Sequence, residues 1–162
     1  DIVGFTVPFP GNLYAALRLS QRIKQVSPST VTVMGGGYPN TELRGLKEPR
    51  FFDYIDYLTL DDGEGPWLRL FDYLGKKSVR QAEFAELEVS VSQASLSHRL
   101  VSSNGAVGML QQAQLDGREE DGRQLLQRTF LRNEAGEVEY INYPHPDIPH
   151  PEVGTPDYSD LH

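Results

Sequence analysis

Ile2-Val3-Gly4-Phe5-Thr6-Val7-Pro8-Phe9-Pro10-Gly11-Asn12 stands almost at the start of the chain and decides how the rest is read. Residues 2–7 are a short continuous apolar run closed by Pro8. Such a run predicts a strand buried on both faces, as in the middle of a parallel sheet. Pro10-Gly11-Asn12 supplies a turn, and Asn12 is a suitable N-cap for a helix over 13–26. Leu13, Leu17, Leu19, Ile23 and Val26 approximate one stripe of that helix. Ser27-Pro28-Ser29 stops it, because Pro28 disfavours helical geometry at Ser27. Residues 30–34 form a second β-branched run, ending in Gly35-Gly36-Gly37. Thr41 opens a short helical stretch that breaks near Glu48-Pro49, and residues 50–54 read as helical. Residues 57–60 are a third strand, followed by Asp61-Asp62-Gly63-Glu64-Gly65-Pro66 and a helix from Trp67 to about Leu74.

Strand and helix thus alternate three times, which predicts an α/β fold with right-handed βαβ crossovers and a parallel sheet. Three strands make a thin sheet, so a partner or a missing half is expected. Residues 1–75 carry this partial Rossmann-like parallel sheet. Residues 76–127 turn rich in Gln, Ser and Glu and read as a variable helical connector, with helices over 80–88, 108–114 and 121–127. Ser102-Ser103-Asn104-Gly105 and Asp116-Gly117-Arg118 read as loops. Residues 128–143 alternate around Asn133-Glu134-Ala135-Gly136, a β-hairpin signal. Residues 144–162, with Pro144, Pro146, Pro149, Pro151 and Pro156, form a linker or a surface-hugging tail.

Composition removes several classes. The chain has 162 residues, 23 acidic against 15 basic side chains and a net charge of -8. That balance argues against nucleic acid as a partner. No apolar run approaches the ~20 residues of a spanning helix, so no membrane partner is expected. The absence of cysteine excludes a disulfide scaffold, a thiol nucleophile and a cysteine-ligated metal within the chain, and a cytoplasmic location is the simplest assumption. The chain starts at Asp1, directly before an apolar strand, which reads as a piece cut from something larger.

In an open parallel sheet, ligands bind at the carboxyl ends of the strands. Here those ends carry residues 6–12, 35–40 and 61–65, each with glycine, which lets a backbone approach a ligand closely. Neither a GxGxxG after the first strand nor a GxxxxGK[ST] occurs. Asp61, Asp62 and Glu64 admit an acid/base or magnesium reading. The simpler reading places Glu64 at a helix N-terminus, where the helix dipole favours it. His145 and His150 admit a metal reading with Asp147 or Glu152, but proline on both sides of each favours a solvated tail. His98, His162 and the run Arg118-Glu119-Glu120-Asp121 read as surface, and Trp67, Leu70 and Phe71 as core contacts. No Ser–His–Asp arrangement has sequence support, so no catalytic or metal-ligating residue is assigned.

The strings GFTVPFPGNLYAALR, MGGGYPNTELR and LTLDDGEGP resemble the carboxyl-side half of the cobalamin-binding domain that precedes a radical-SAM core, in enzymes of the magnesium-protoporphyrin cyclase and P-methylase type. The resemblance continues at Arg128-Thr129-Phe130-Leu131 and over 155–161, while 76–127 lies outside it. It implies that Thr6, with Val7 and Pro8 beside it, contacts the buried nucleotide tail of cobalamin. It implies further that Gly35 and Gly36, with Gly37, leave room for that tail, and that Asp62, Gly63 and Glu64 flank the slot. The family's DxHxxG motif lies upstream of the strand that starts here, so no lower cobalt ligand is visible. The iron–sulfur cluster and S-adenosylmethionine belong to the radical-SAM core, which is the implied partner within the same parent chain. Without cluster cysteines this chain is expected to be inert alone, and its own status as an enzyme stays open. Two other readings stand beside this one. One is a non-enzymatic interaction module, pairing as a homodimer through an open sheet edge. The other is a flavodoxin-like nucleotide or flavin binder.

Overall fold

The computed structural model describes residues 1–61, 63–97 and 122–148, with only the backbone of 87–97. Its contacts divide the chain into two compact units, Asp1–Arg69 with Leu126–His162, and Leu70–Leu125. The first unit is an α/β sheet domain. Strands β1 (Ile2–Thr6), β2 (Val31–Gly35), β3 (Tyr57–Thr59), β4 (Thr129–Arg132) and β5 (Val138–Ile141) form one sheet in the order β1-β2-β3-β4-β5. The first three run parallel, and β4 and β5 add an antiparallel hairpin beside β3. The partial Rossmann-like α/β architecture is therefore present. The hairpin read separately from the sequence completes its sheet, so the sheet is not three strands thin.

Register explains how the core forms. Phe5, Met34, Leu58, Phe130 and Tyr140 lie in one row across the five strands. With Val7, Ala16, Phe52, Ile55 and Leu60, the buried members of this row form the core, against which Leu13 and Leu17 pack. Those leucines come from helix α1 (Pro10–Val26). The helix begins earlier than an Asn12 cap implies. Pro10 sits in its first turn, where a missing N–H costs nothing, and Phe9 is the cap residue with no side-chain bond. Helix α2 (Gly37–Glu42) ends where the sequence reading had a helix begin, and Pro49–Asp53 is a 3₁₀ turn.

β1 departs from its sequence reading. It lies at the sheet edge, and its residues alternate between exposed and half-buried, with Ile2 38% exposed. A continuous apolar run cannot report that, among the described residues, β1 has a strand on one side alone. Helix α3 (Glu64–Ser97) is also longer than expected: it runs through position 75 without a break. The helix read over 121–127 reduces, in its described part, to a 3₁₀ turn at Arg123–Leu125. The helix over 108–114 and the loops at 102–105 and 116–118 lie outside the described residues.

A polar clasp ties α1 to β2 and β3. The Asp56 carboxylate accepts from the Lys24 ammonium at 2.5 Å, the Thr32 N–H at 2.7 Å and the Thr32 hydroxyl at 3.0 Å. Thr32 is fully buried, so its N–H has no water to fall back on. Asp56→Ala should lower stability by about 2 kcal/mol, since a buried donor loses a charged acceptor. Urea unfolding should show this as a lower midpoint at unchanged slope. An unchanged midpoint would refute it.

Candidate site at the strand ends

The row next to the apolar one has opposite chemistry. Thr6 pairs with Gly35 and Thr59 with Thr129, and side chains alternate faces along a strand. Glycines and hydroxyls therefore share the sheet face turned away from α1. At the carboxyl ends of the parallel strands this row forms one wall of a cleft of about 390 Å³. The cleft is lined by Gly4, Phe5, Thr6, Gly35, Gly36, Thr59, Asp61, Gly63 and Trp67. The volume lies within the ~300–1,000 Å³ typical of small-molecule sites.

Three close approaches shape it. A Cβ on Gly4 would lie 2.5 Å from Cη2 of Trp67, so the indole rests directly on the backbone of β1. A Cβ on Gly35 would lie 3.0 Å from the Thr59 hydroxyl and project from the same wall. Gly36 turns the chain out of β2 with φ +109° and ψ -174°, a conformation open essentially to glycine alone. A Cβ there would strike the backbone of Val7, 2.8 Å from its nitrogen. The indole contact carries its own test. Gly4→Ala should push the ring away, shift the emission of the chain's single tryptophan to the red and cost about 1–2 kcal/mol. Unshifted emission would mean that the ring does not rest on Gly4 in solution.

Thr6, Gly35, Gly36 and Gly63, all read from the sequence, meet in this cleft. Val7 does not line it. Its side chain is buried in the core, while its N–H donates to the Gly35 carbonyl at 2.8 Å and its carbonyl accepts from the Tyr38 N–H at 3.0 Å. Val7 thus pins the glycine turn to the end of β1. The Pro8 carbonyl lies 3.1 Å from where a Gly37 Cβ would be, and Gly37 opens α2. Glu64 opens α3, as its helix-dipole reading requires. Asp62 lies outside the described residues.

Sequence reasoning missed Gly4, Phe5 and Thr59, and it read Trp67 as core although the indole is only half-buried and lines the cleft. It also missed the part Asp61 plays. Asp61 adopts a left-handed backbone conformation (φ 62°). Asn40 holds it there, its side-chain amide oxygen Oδ1 accepting the Asp61 N–H at 2.7 Å. One Asp61 oxygen pairs with the Arg44 guanidinium, and the other lies 3.7 Å from Nε of Arg128. Arg128 is itself left-handed (φ 46°) and donates to Asp147 at 2.5 Å. The Tyr140 phenol is pushed up, first by burial and then by the Asp61 charge, with Arg44 and Arg128 opposing.

The His145 carbonyl accepts from Gln127 at 3.1 Å. Among the described residues no group of three or more His, Cys, Asp or Glu could hold a metal, and no helix is long and apolar enough to cross a membrane. His98, His150, Glu152, His162 and the 118–121 charge run lie outside the described residues.

Fold and cleft together define the class: an α/β domain with a cleft at the carboxyl edge of its parallel strands. Compared with family models, curated proteins and solved structures, the chain matches none.

Proposed function

We propose that this chain is the cofactor-holding part of a cobalamin-dependent radical-SAM enzyme, and that its strand-end cleft takes the benzimidazole end of cobalamin's nucleotide tail. One observation carries the reading: at Gly35 the cleft wall bears no side chain, and the Trp67 ring lines the same cleft. A flat heterocycle needs such a wall, and it gains from an aromatic face against which to stack. Thr6 and Thr59 add hydroxyls able to orient it. The cleft volume suits a heterocycle with its sugar. When bound, cobalamin supplies the cobalt–carbon chemistry. This chain's residues bind and orient the tail and exclude water from it. The cluster cysteines and the bound S-adenosylmethionine belong to the core.

Trp67 makes the test direct. Hydroxocobalamin titrated into the chain should quench its fluorescence saturably at one equivalent, after correction against free tryptophan. Flavin mononucleotide titrated in parallel separates the flavodoxin-type reading. A response that never saturates, or that flavin alone produces, would overturn the cobalamin reading.

One observation favours a second reading, the interaction module. β1 ends the sheet, and Ile2–Thr6 contains neither a charge nor a proline to block strand addition. Light scattering at high protein concentration should then report a dimer, and a strict monomer would remove this reading.

A further inference from the structure

We infer that Asn40 is a positioning residue for the cleft: its carboxamide, paired with the backbone of Asp61, fixes the gap between the Gly35–Gly36 wall and the Trp67 wall. The inference rests on the heterocycle reading above and names the residue that fits the cleft to a flat ligand. The two walls come from different parts of the chain. Gly35 and Gly36 stand at the end of β2, whereas Asp61, Gly63 and Trp67 follow β3. The paired residues of β2 and β3 stop at Met34 and Leu58, short of both walls. Asn40 spans what the ladder leaves open. Its Oδ1 accepts the Asp61 N–H at 2.7 Å, and its Nδ2 donates to the Asp61 carbonyl at 3.5 Å. One side-chain amide thus serves both backbone groups of one residue, as an antiparallel neighbour would.

Both ends of this clasp are anchored. On one side the Asn40 N–H donates to the Gly36 carbonyl at 3.2 Å, and Pro39 before it is fully buried. On the other, Asp61 holds a left-handed backbone (φ 62°), which a residue other than glycine keeps only where its surroundings impose it. Two residues further on, the Gly63 carbonyl accepts the Trp67 N–H at 2.9 Å, so the placing of the indole follows from the turn at Asp61. Arg44 and Arg128 also reach Asp61, but they hold its carboxylate, which rotates about its own side-chain bonds. Asn40 alone among these holds the peptide. A site built on such support keeps its spacing within a fraction of an ångström, and it loosens when the support is cut.

The test reads Trp67 first in the free chain and then in a hydroxocobalamin titration. Asn40→Ala keeps a good helix former in α2 and removes the clasp. It should shift the emission to the red, open the indole to acrylamide quenching and weaken hydroxocobalamin by about tenfold, the scale of one lost hydrogen-bonded support. Asn40→Asp retains the acceptor for the Asp61 N–H, and it should keep the parent's emission and most of its affinity. Arg44→Gln cuts the ion pair and spares the clasp, so its emission should match the parent. An Asn40→Ala chain with unmoved emission and quenching, or an Arg44→Gln chain that shifts as far, would overturn the inference. A shifted Asn40→Ala emission in a chain that never responds to hydroxocobalamin would remove the cobalamin reading and leave the clasp standing.

Discussion

Gly36→Ala should unfold the sheet domain. The residue leaves β2 with φ +109°, and a Cβ there would lie 2.8 Å from the nitrogen and 2.9 Å from the oxygen of Val7. These are backbone atoms, and the same two atoms bond to Gly35 and Tyr38. The methyl group cannot be accommodated by a side-chain rotation. It must lift the glycine turn off the end of β1. Backbone strain of roughly 1–3 kcal/mol adds to an overpacking cost of similar size, giving about 3–5 kcal/mol in all. That is a large part of the stability of an ordinary domain. Thermal unfolding followed by circular dichroism should show a collapsed transition. Gly11→Ala is the control: nothing lies within 4 Å of its would-be Cβ, and it sits in α1, where alanine is preferred. A Gly36→Ala protein that melts with the parent would mean that the turn differs in solution.

Gly35→Val should keep the fold and abolish binding. Its position in β2 suits a β-branched residue, and its backbone is ordinary strand. The added side chain enters the cleft from the glycine wall, 3.0 Å from the Thr59 hydroxyl. That hydroxyl must give by a few tenths of an ångström, at a cost of about 1 kcal/mol. The space that the proposed reading gives to a flat ring is then filled. On the proposed reading, cobalamin binding should fall by at least about 100-fold, as a ring is excluded from its slot. Titration of Trp67 fluorescence measures this directly, and circular dichroism checks that the sheet survives. Undiminished binding would place the ligand elsewhere. Neighbouring glycines thus have separable purposes, one for the turn and one for the void.

Much of this was legible locally. The apolar runs at 2–7, 30–34 and 57–60 mark three strands, and at β2 and β3 burial accounts for the continuous hydrophobicity. The hairpin was legible from the turn at Asn133-Glu134-Ala135-Gly136, where Gly136 takes the positive φ that such a turn requires. Thr6, Gly35, Gly36 and Gly63 were legible as a group, because they stand at strand ends. The continuity of α3 through position 75 was not, since Gly75 reads as a break between two helices. The status of Trp67 was not legible either. Helical spacing tells which residues share a face of a helix, and it is silent on whether that face meets side chains or a void.

By itself, the sequence determined that the chain alternates strand and helix, that a glycine-bearing segment follows each of the first three strands, and that a hairpin follows a long polar stretch. Each of these is a local property, set by hydrophobic period, turn chemistry and the absence of a Cβ. The tertiary structure alone decided that the hairpin joins the sheet beside β3, that β1 is an edge, and that Thr6, Gly35, Thr59 and Trp67 line one cleft. It alone brought Arg44 and Arg128 to the two oxygens of Asp61. The reason is physical. Register across strands and ion pairs between distant segments depend on which elements come to lie side by side, and no period within a single element carries that information.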